Sequence, residues 1–187
     1  MSIRPPLQAR SRVTWERVLD AGVEILEASG HEALTIAAVC KRAGVTAPTI
    51  YARAPDKTAL MLAVHEHAVA RMDATAEIPD ATTPGDAVRA IARGFLGNAR
   101  LLREVIRQAS SEPEIFRRGS DAIVAMGHSF RASVGGDERR ADACFRVMVG
   151  ALAHRVVEGP DFDSDLPQTD AEFVDSLCEM ADAYLAR

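Results

Sequence analysis

The sequence predicts an all-α protein: a small N-terminal three-helix unit of the helix-turn-helix kind, then a larger C-terminal helical bundle, about nine helices altogether. Three observations carry this. Apolar residues recur at three- and four-residue steps along most of the chain, and no segment alternates as a strand would. Helix-start and helix-stop residues punctuate that pattern. The composition is helical, with frequent alanine, aromatics at 5% and a hydrophobic fraction of 48%, ample for a core.

Residues 1–10 read as an arm with Pro5-Pro6, Arg4 and Arg10. The first helix is expected to start near Ser11 or Thr14. Trp15, Val18, Leu19, Gly22, Ile25 and Leu26 share one face, and Ser29-Gly30 ends it. Thr35 caps the second helix, because its hydroxyl can accept from first-turn N–H groups. Ile36, Val39 and Cys40 form that helix's apolar face, and Lys41 and Arg42 suit its C-terminal dipole. Gly44 follows, where a left-handed residue closes a helix at little cost. Val45 is expected to plug the angle between this helix and the next, and Thr46 to cap the third. Ala47-Pro48 opens that helix, where a missing N–H does no harm. It runs to about Arg53, with Ile50 inward, and Ala54-Pro55 ends it. Asp56 caps a fourth helix from Lys57 to about Asp73.

The stretch Glu77 to Pro84 reads as a loop. Thr83-Pro84 with Asp86 starts the fifth helix, which carries Val88, Ile91, Phe95 and Leu96. The sixth spans about 100–109, with Leu101, Leu102, Val105 and Ile106 on one face. Ser111-Glu112-Pro113-Glu114 starts the seventh, which ends near Val134 before Gly135-Gly136. The eighth runs from about Asp137 to Glu158, closed by Gly159-Pro160. An acidic loop, DFDSDLP, leads to Thr169 as cap of the ninth, whose stripe is Phe173, Leu177, Met180, Ala181 and Tyr184.

The third helix carries the chemistry. Its tip, Ala47-Pro48-Thr49, is slim enough to enter a major groove and offers apolar contact to thymine methyls plus a hydroxyl. Thr49 and Tyr51 suit phosphate oxygens. Lys57 sits in a helix first turn, where an ammonium and exposed N–H groups together make a phosphate site. Arg10 and Arg12 can reach phosphates from the arm. Thr35, Thr46 and Arg53 complete the candidate DNA-contacting set. An ordinary helical hairpin shares the cap-plus-glycine pattern, but not this run of further features at fixed spacing.

Charge agrees. Net charge is −5. Residues 1–72 carry nine Arg/Lys against seven Asp/Glu, a balance of +2; residues 73–187 carry thirteen against twenty, a balance of −7. Positive charge thus collects in the candidate reading head. Cys40, Cys144 and Cys178 lack metal or disulfide spacing, which fits a reducing cytoplasm. No apolar run is long enough for a membrane span, and no signal peptide is evident. His65 and His67 are two apart on a helix and diverge, and His154 has no carboxylate partner readable in sequence. There is no glycine-rich phosphate loop, serine elbow or Cys-His signature. No catalytic residue, metal or cofactor is therefore expected, and an enzyme is not.

These residues resemble the TetR family of bacterial transcriptional regulators. The likeness rests on Leu34-Thr35, on Val39-Cys40-Lys41-Arg42-Ala43-Gly44-Val45-Thr46 across the turn, on Thr49-Ile50-Tyr51, and on Asp56-Lys57 with Leu60. It covers roughly residues 10 to 65; beyond that only length and helical character agree. Two departures stand out. An aromatic residue typical of the family near the end of the recognition helix is absent from Ala52-Arg53-Ala54, and Pro48 stands where glycine is frequent. Both imply an operator preference of its own.

The resemblance implies a division at 1–56, arm and helix-turn-helix, with the linker helix from 57, and 57–187, a ligand-binding and dimerisation domain. In the family, the linker helix transmits ligand state to DNA. A dimer through the eighth and ninth helices would read a palindromic double-stranded operator, repression being the family default. Gly150, Ala151 and Ala153 would permit close helix approach. An apolar or aromatic effector of unknown identity would occupy a cavity lined by Phe95, Ile106, Phe116, Met126, Phe130 and Met148, with Arg107 and His128 as polar anchors. The alternative function is a ligand-binding or interaction module whose DNA head has degenerated.

Overall fold

The structure is a computed structural model that describes residues 7–73, 83–162, 165, 166 and 168–186; of 7–10, 72 and 73 only the backbone is described. Among the described residues there are nine helices and no strand. Of the expected loop at 77–84, all but Thr83 and Pro84 lies outside the described residues. The chain divides into two compact units, 1–71 and 72–187.

In the first unit, α1 spans Leu7–Ala33, α2 Ile36–Ala43, α3 Ala47–Tyr51 and α4 Lys57–Asp73. Helix α1 begins earlier than Ser11, because Leu7-Gln8-Ala9-Arg10 favour helix and no stop residue separates them from Ser11. Gly30, at φ 74°, breaks its path where the sequence placed a stop, and one more turn follows. Helix α3 ends at Tyr51 rather than Arg53. Residues 52 and 53 turn out of the helix, and Ala54 precedes proline, which disfavours helical backbone there.

The core of this unit is Val18, Val23, Leu26, Leu34, Val39, Ile50, Leu60 and Val64, each 2% exposed or less. Helices α1 and α4 meet closely at Gly22, where an added Cβ would stand 2.4 Å from a methyl of Val64. Leu60, Met61, Val64 and Ala68 bury one face of α4. Helix α4 thus packs, up to Arg71, within the first compact unit.

In the second unit, α5 spans Pro84–Gly97, α6 Ala99–Ala109, α7 Pro113–Val134, α8 Glu138–Glu158 and α9 Asp170–Leu185. Helix α5 buries Ala87, Val88, Ala90, Ile91, Ala92 and Phe95, on more than one side, and sits among α7, α8 and α9. Its small residues let α9 close on it. Gly85 N–H donates to Asp182 Oδ1 at 2.7 Å, and Cys178 Sγ donates to Gly85 O at 3.1 Å. Reciprocal capping boxes start α5 (Thr83 with Asp86) and α9 (Thr169 with Glu172), at the residues expected. Asp137 caps α8 by accepting from the N–H groups of Arg139 and Arg140. Helix α7 starts at Pro113, after Glu112.

Candidate nucleic-acid interface

The helix-turn-helix forms because each of its corners is satisfied locally. Thr35 has extended backbone, and its hydroxyl accepts from Ala38 N–H at 3.1 Å. Gly44 is left-handed (φ 64°, ψ 40°), and Val45 N–H donates to Cys40 O at 3.1 Å, closing α2. Only glycine takes that backbone readily. Val45 is half-buried in the corner.

Helix α3 is fixed by Ile50, which is fully buried, and by Ala54 just beyond it, at 1% exposure. Thr46 has the extended backbone of a cap, but its hydroxyl does not cap: it lies 3.2 Å from the hydroxyl of Thr49. The two hydroxyls thus form one polar spot at the tip. Pro48, Thr49 and Tyr51 are exposed, Tyr51 at 50%, and Ala47 is half-buried. Asp56 Oδ1 accepts from Ala59 N–H at 2.7 Å and caps α4, leaving Lys57 exposed in the first turn.

Three polar ties hold the other helices onto α1. Arg42 of α2 pairs with Glu24 at 2.7 Å. From α4, His67 Nε2 is 2.8 Å from Asp20 Oδ1, and Arg71 reaches the same oxygen at 3.4 Å. Beyond α3, Arg53 donates to Ser11 Oγ at 2.9 Å, with its guanidinium 5.6 Å from the ring centre of Trp15. Sequence reading missed all three, because their partners lie 18 to 51 residues apart. Trp15, which shares the apolar face of α1 in sequence, is only half-buried. Lys41 and Lys57, the chain's only lysines, are exposed and take no part in these ties. Arg12 is exposed and 3.5 Å from Glu16. Arg10 lies in the first turns of α1, and its side chain is outside the described residues.

The residues expected to line an effector cavity do not all come together. Phe95, Phe130 and Met148 pack with Phe145 in the core of the second unit, and Met126 packs against them. Ile106 is half-buried on α6. Phe116 is 63% exposed, His128 is exposed, and Arg107 is exposed beside Glu104 at 4.0 Å. Surface positions leave these last three outside any enclosed space among the described residues. A cleft does open at the C-terminal end of α8, between Ala151, His154, Arg155 and Phe173. Among the described residues no group of three or more metal-ligating side chains gathers, and no helix is long and apolar enough to cross a membrane.

The model of the family described as bacterial regulatory proteins, tetR family, matches residues 18–64, which run from within α1 through α2 and α3 into α4. No curated protein matches the chain. Solved structures do. A TetR-family transcriptional regulator from Streptomyces coelicolor is 18% identical, with 100% of this chain and 96% of that one covered and a TM-score of 0.68. A TetR transcription regulator from Haloarcula marismortui is 16% identical, with 94% and 97% covered and a TM-score of 0.68. The multidrug binding protein EbrR, complexed with imidazole, is 18% identical, with 89% and 93% covered and a TM-score of 0.60. Identities this low speak for the fold, and the match over residues 18–64 speaks for the reading head. Residues 18–64 thus match the bacterial regulatory proteins of the tetR family, and the chain as a whole has the fold of the TetR-family regulators.

Proposed function

We propose that the protein is a cytoplasmic repressor that binds a palindromic operator as a dimer and is released by a small apolar or aromatic molecule. One observation carries the DNA part: the outer side of α3 presents Pro48, Thr49 and Tyr51 to solvent, flanked by exposed Lys41 and Lys57. Ala47, Pro48 and the Thr46–Thr49 hydroxyl pair meet base edges, with Tyr51 and Lys57 on phosphates. Thr35, Arg12 and Arg10 would add contacts to the DNA backbone. Lys57 suits its role because an ammonium at a helix N-terminus adds to the N–H groups there.

The exposed faces of α8 and α9 support the dimer. Val147 is 64% exposed, Met180 52% and Tyr184 42%, and Gly150 is open to solvent with nothing near an added Cβ. Ala151 and Ala153 pack against the subunit's own core instead, so Gly150 alone of the three serves close approach. A single α3 contacts few bases, and a two-fold pair reads two half-sites.

For the effector, a multidrug binding protein among the structural neighbours favours an apolar or aromatic compound. Phe95, Met126, Phe130 and Met148, with Ile106 at the edge, form the side-chain set such a compound would part. It acts only by binding one of two states more tightly.

The test is a gel shift of the purified chain against genomic fragments, titrated over salt with random DNA as competitor. A specific, salt-sensitive shift with two chains per duplex supports the reading. Binding that random DNA removes completely, across all fragments, points instead to a head that no longer reads sequence.

A further inference from the structure

The shortest helix of the reading head has the fewest means of holding its own orientation. Helix α3 has five residues, ending at Tyr51. Helices of that length draw their stability from packing rather than from themselves. Inward, α3 and its exit offer Ile50 and the small Ala54. One side chain on a five-residue helix acts as a pivot, and a second attachment is needed to stop rotation about it. Helix α2 has such an attachment, since Val39 and Ala43 are both buried and Arg42 is tied to Glu24.

For α3 the second attachment is Arg53. It follows the helix by two residues and reaches back over 42 residues of sequence to Ser11 Oγ at 2.9 Å. Its guanidinium lies over the Trp15 ring, 5.6 Å from the centre, within the range where a cation is drawn to an aromatic face. The half-buried indole is a fixed plate on α1, and a planar guanidinium stacks on such a plate in a way an ammonium does not.

We propose that Arg53 is a positioning residue for operator recognition: by clamping α3 to Ser11 and Trp15 it sets the angle at which Pro48 and Thr49 meet the bases. This rests on the DNA-reading role given to α3 above. It sets Arg53 apart from Lys57. Lys57 acts by its charge, which any cation in its place would largely supply. Arg53 acts by its shape, which lysine does not reproduce.

The chain contains a single tryptophan, so its fluorescence reports on the Arg53 contact without DNA. The full-length chain and its Arg53→Lys and Arg53→Met variants are compared by Trp15 emission. They are then compared by affinity and salt slope for the tightest duplex that the unaltered chain recovers from a random-sequence pool. Arg53→Lys is expected to shift Trp15 emission and to weaken duplex binding about fivefold at unchanged salt slope, the size of one exposed cation–π contact plus a hydrogen bond. If Arg53→Lys matches the unaltered chain while Arg53→Met lowers the salt slope by about one, Arg53 is a phosphate contact and the proposal fails. It fails too if the emission shifts and the affinity does not, since the tie would then position nothing. If the unaltered chain recovers no duplex, the DNA-reading role of α3 falls and the positioning role falls with it, whereas an emission shift in Arg53→Lys still reports the clamp itself.

Discussion

At the scale of single residues, the two kinds of cation in the reading head should separate by experiment. Lys57 is exposed, is the first residue of α4, and takes no part in the unit's ion pairs among the described residues. Lys57→Ala should therefore weaken binding to all duplexes alike and lower the salt slope by about one. Substitutions at Ala47 or Pro48 should leave the slope alone and change the ranking of operators. A Lys57→Ala slope equal to that of the unaltered chain would take the phosphate grip away from this residue. The caps were legible residue by residue, because a cap is a local bargain between a hydroxyl or carboxylate and the next three N–H groups. Thr35, Asp56, Thr83 and Thr169 all make the expected bond, and Asp137, expected only as the start of α8, caps it as well. Thr46 does not, because Thr49, three residues on, offers its hydroxyl a competing partner. The same scale holds a pH prediction. Hydrogen bonds from Arg117 and then Arg118 hold the Glu114 carboxyl down at about 2. A depressed carboxyl stabilises the fold above its unfolded value of about 4.3, and that contribution is lost as pH falls toward the folded value. Glu114→Gln should thus lower the Tm at neutral pH, and its deficit should shrink between about pH 4 and pH 2. A deficit that stays constant over that window in parallel thermal melts would mean the ion pairs contribute nothing.

At the scale of elements, helices were legible and their mutual contacts were not. Periodicity and punctuation locate α5 to α9 to within a residue or two of where they begin, because those signals are internal to each helix. The start of α1 was missed, since Leu7 to Arg10 carry no punctuation and helix propensity alone extends the run. What fixes α4 against α1 was not legible, because the reason for it lies in another element. Gly22 reads as one more residue on the inner face of α1, yet it is where α4 passes closest, with Val64 against it. Alanine is the better helix former by about 1 kcal/mol, but a Cβ at 2.4 Å from a β-branched side chain forces a backbone shift. Overpacking of this kind costs about 1–3 kcal/mol, so Gly22→Ala should lower the denaturation midpoint despite its helix propensity. The double change Gly22→Ala with Val64→Ala should recover part of that loss. Strictly additive losses in denaturant titrations would show that the two side chains do not meet.

At the scale of the whole molecule, the proposed dimer turns on the exposed faces of α8 and α9. Val147, Met180 and Tyr184 are large apolar side chains left in water by the single chain. On α8, Ala143, Val147, Gly150 and His154 are exposed at steps of four, three and four residues, which is one continuous stripe. Residues on the other side of the same helix, Cys144, Phe145, Met148 and Leu152, are buried in the subunit's own core, so the exposed stripe of small residues around Val147 is free of that packing. In the proposed dimer this stripe, with Val147 at its centre, is the face of α8 that becomes covered. The covering surface most simply available is a second copy, since a two-fold axis brings a self-complementary stripe against itself. A carboxylate at the centre of that stripe would meet its own image across the axis, while remaining harmless in the separate subunit because the position faces water. Val147→Asp should therefore give a folded chain, with helical content and melting close to the unaltered protein, that elutes with a monomer's mass in light scattering. Its operator affinity should fall far more than its salt slope, because each head still grips phosphates but the two no longer bind as one. If Val147→Asp remained a dimer and bound the operator normally, the interface would have to lie on a different face, and Gly150 with it would need another explanation.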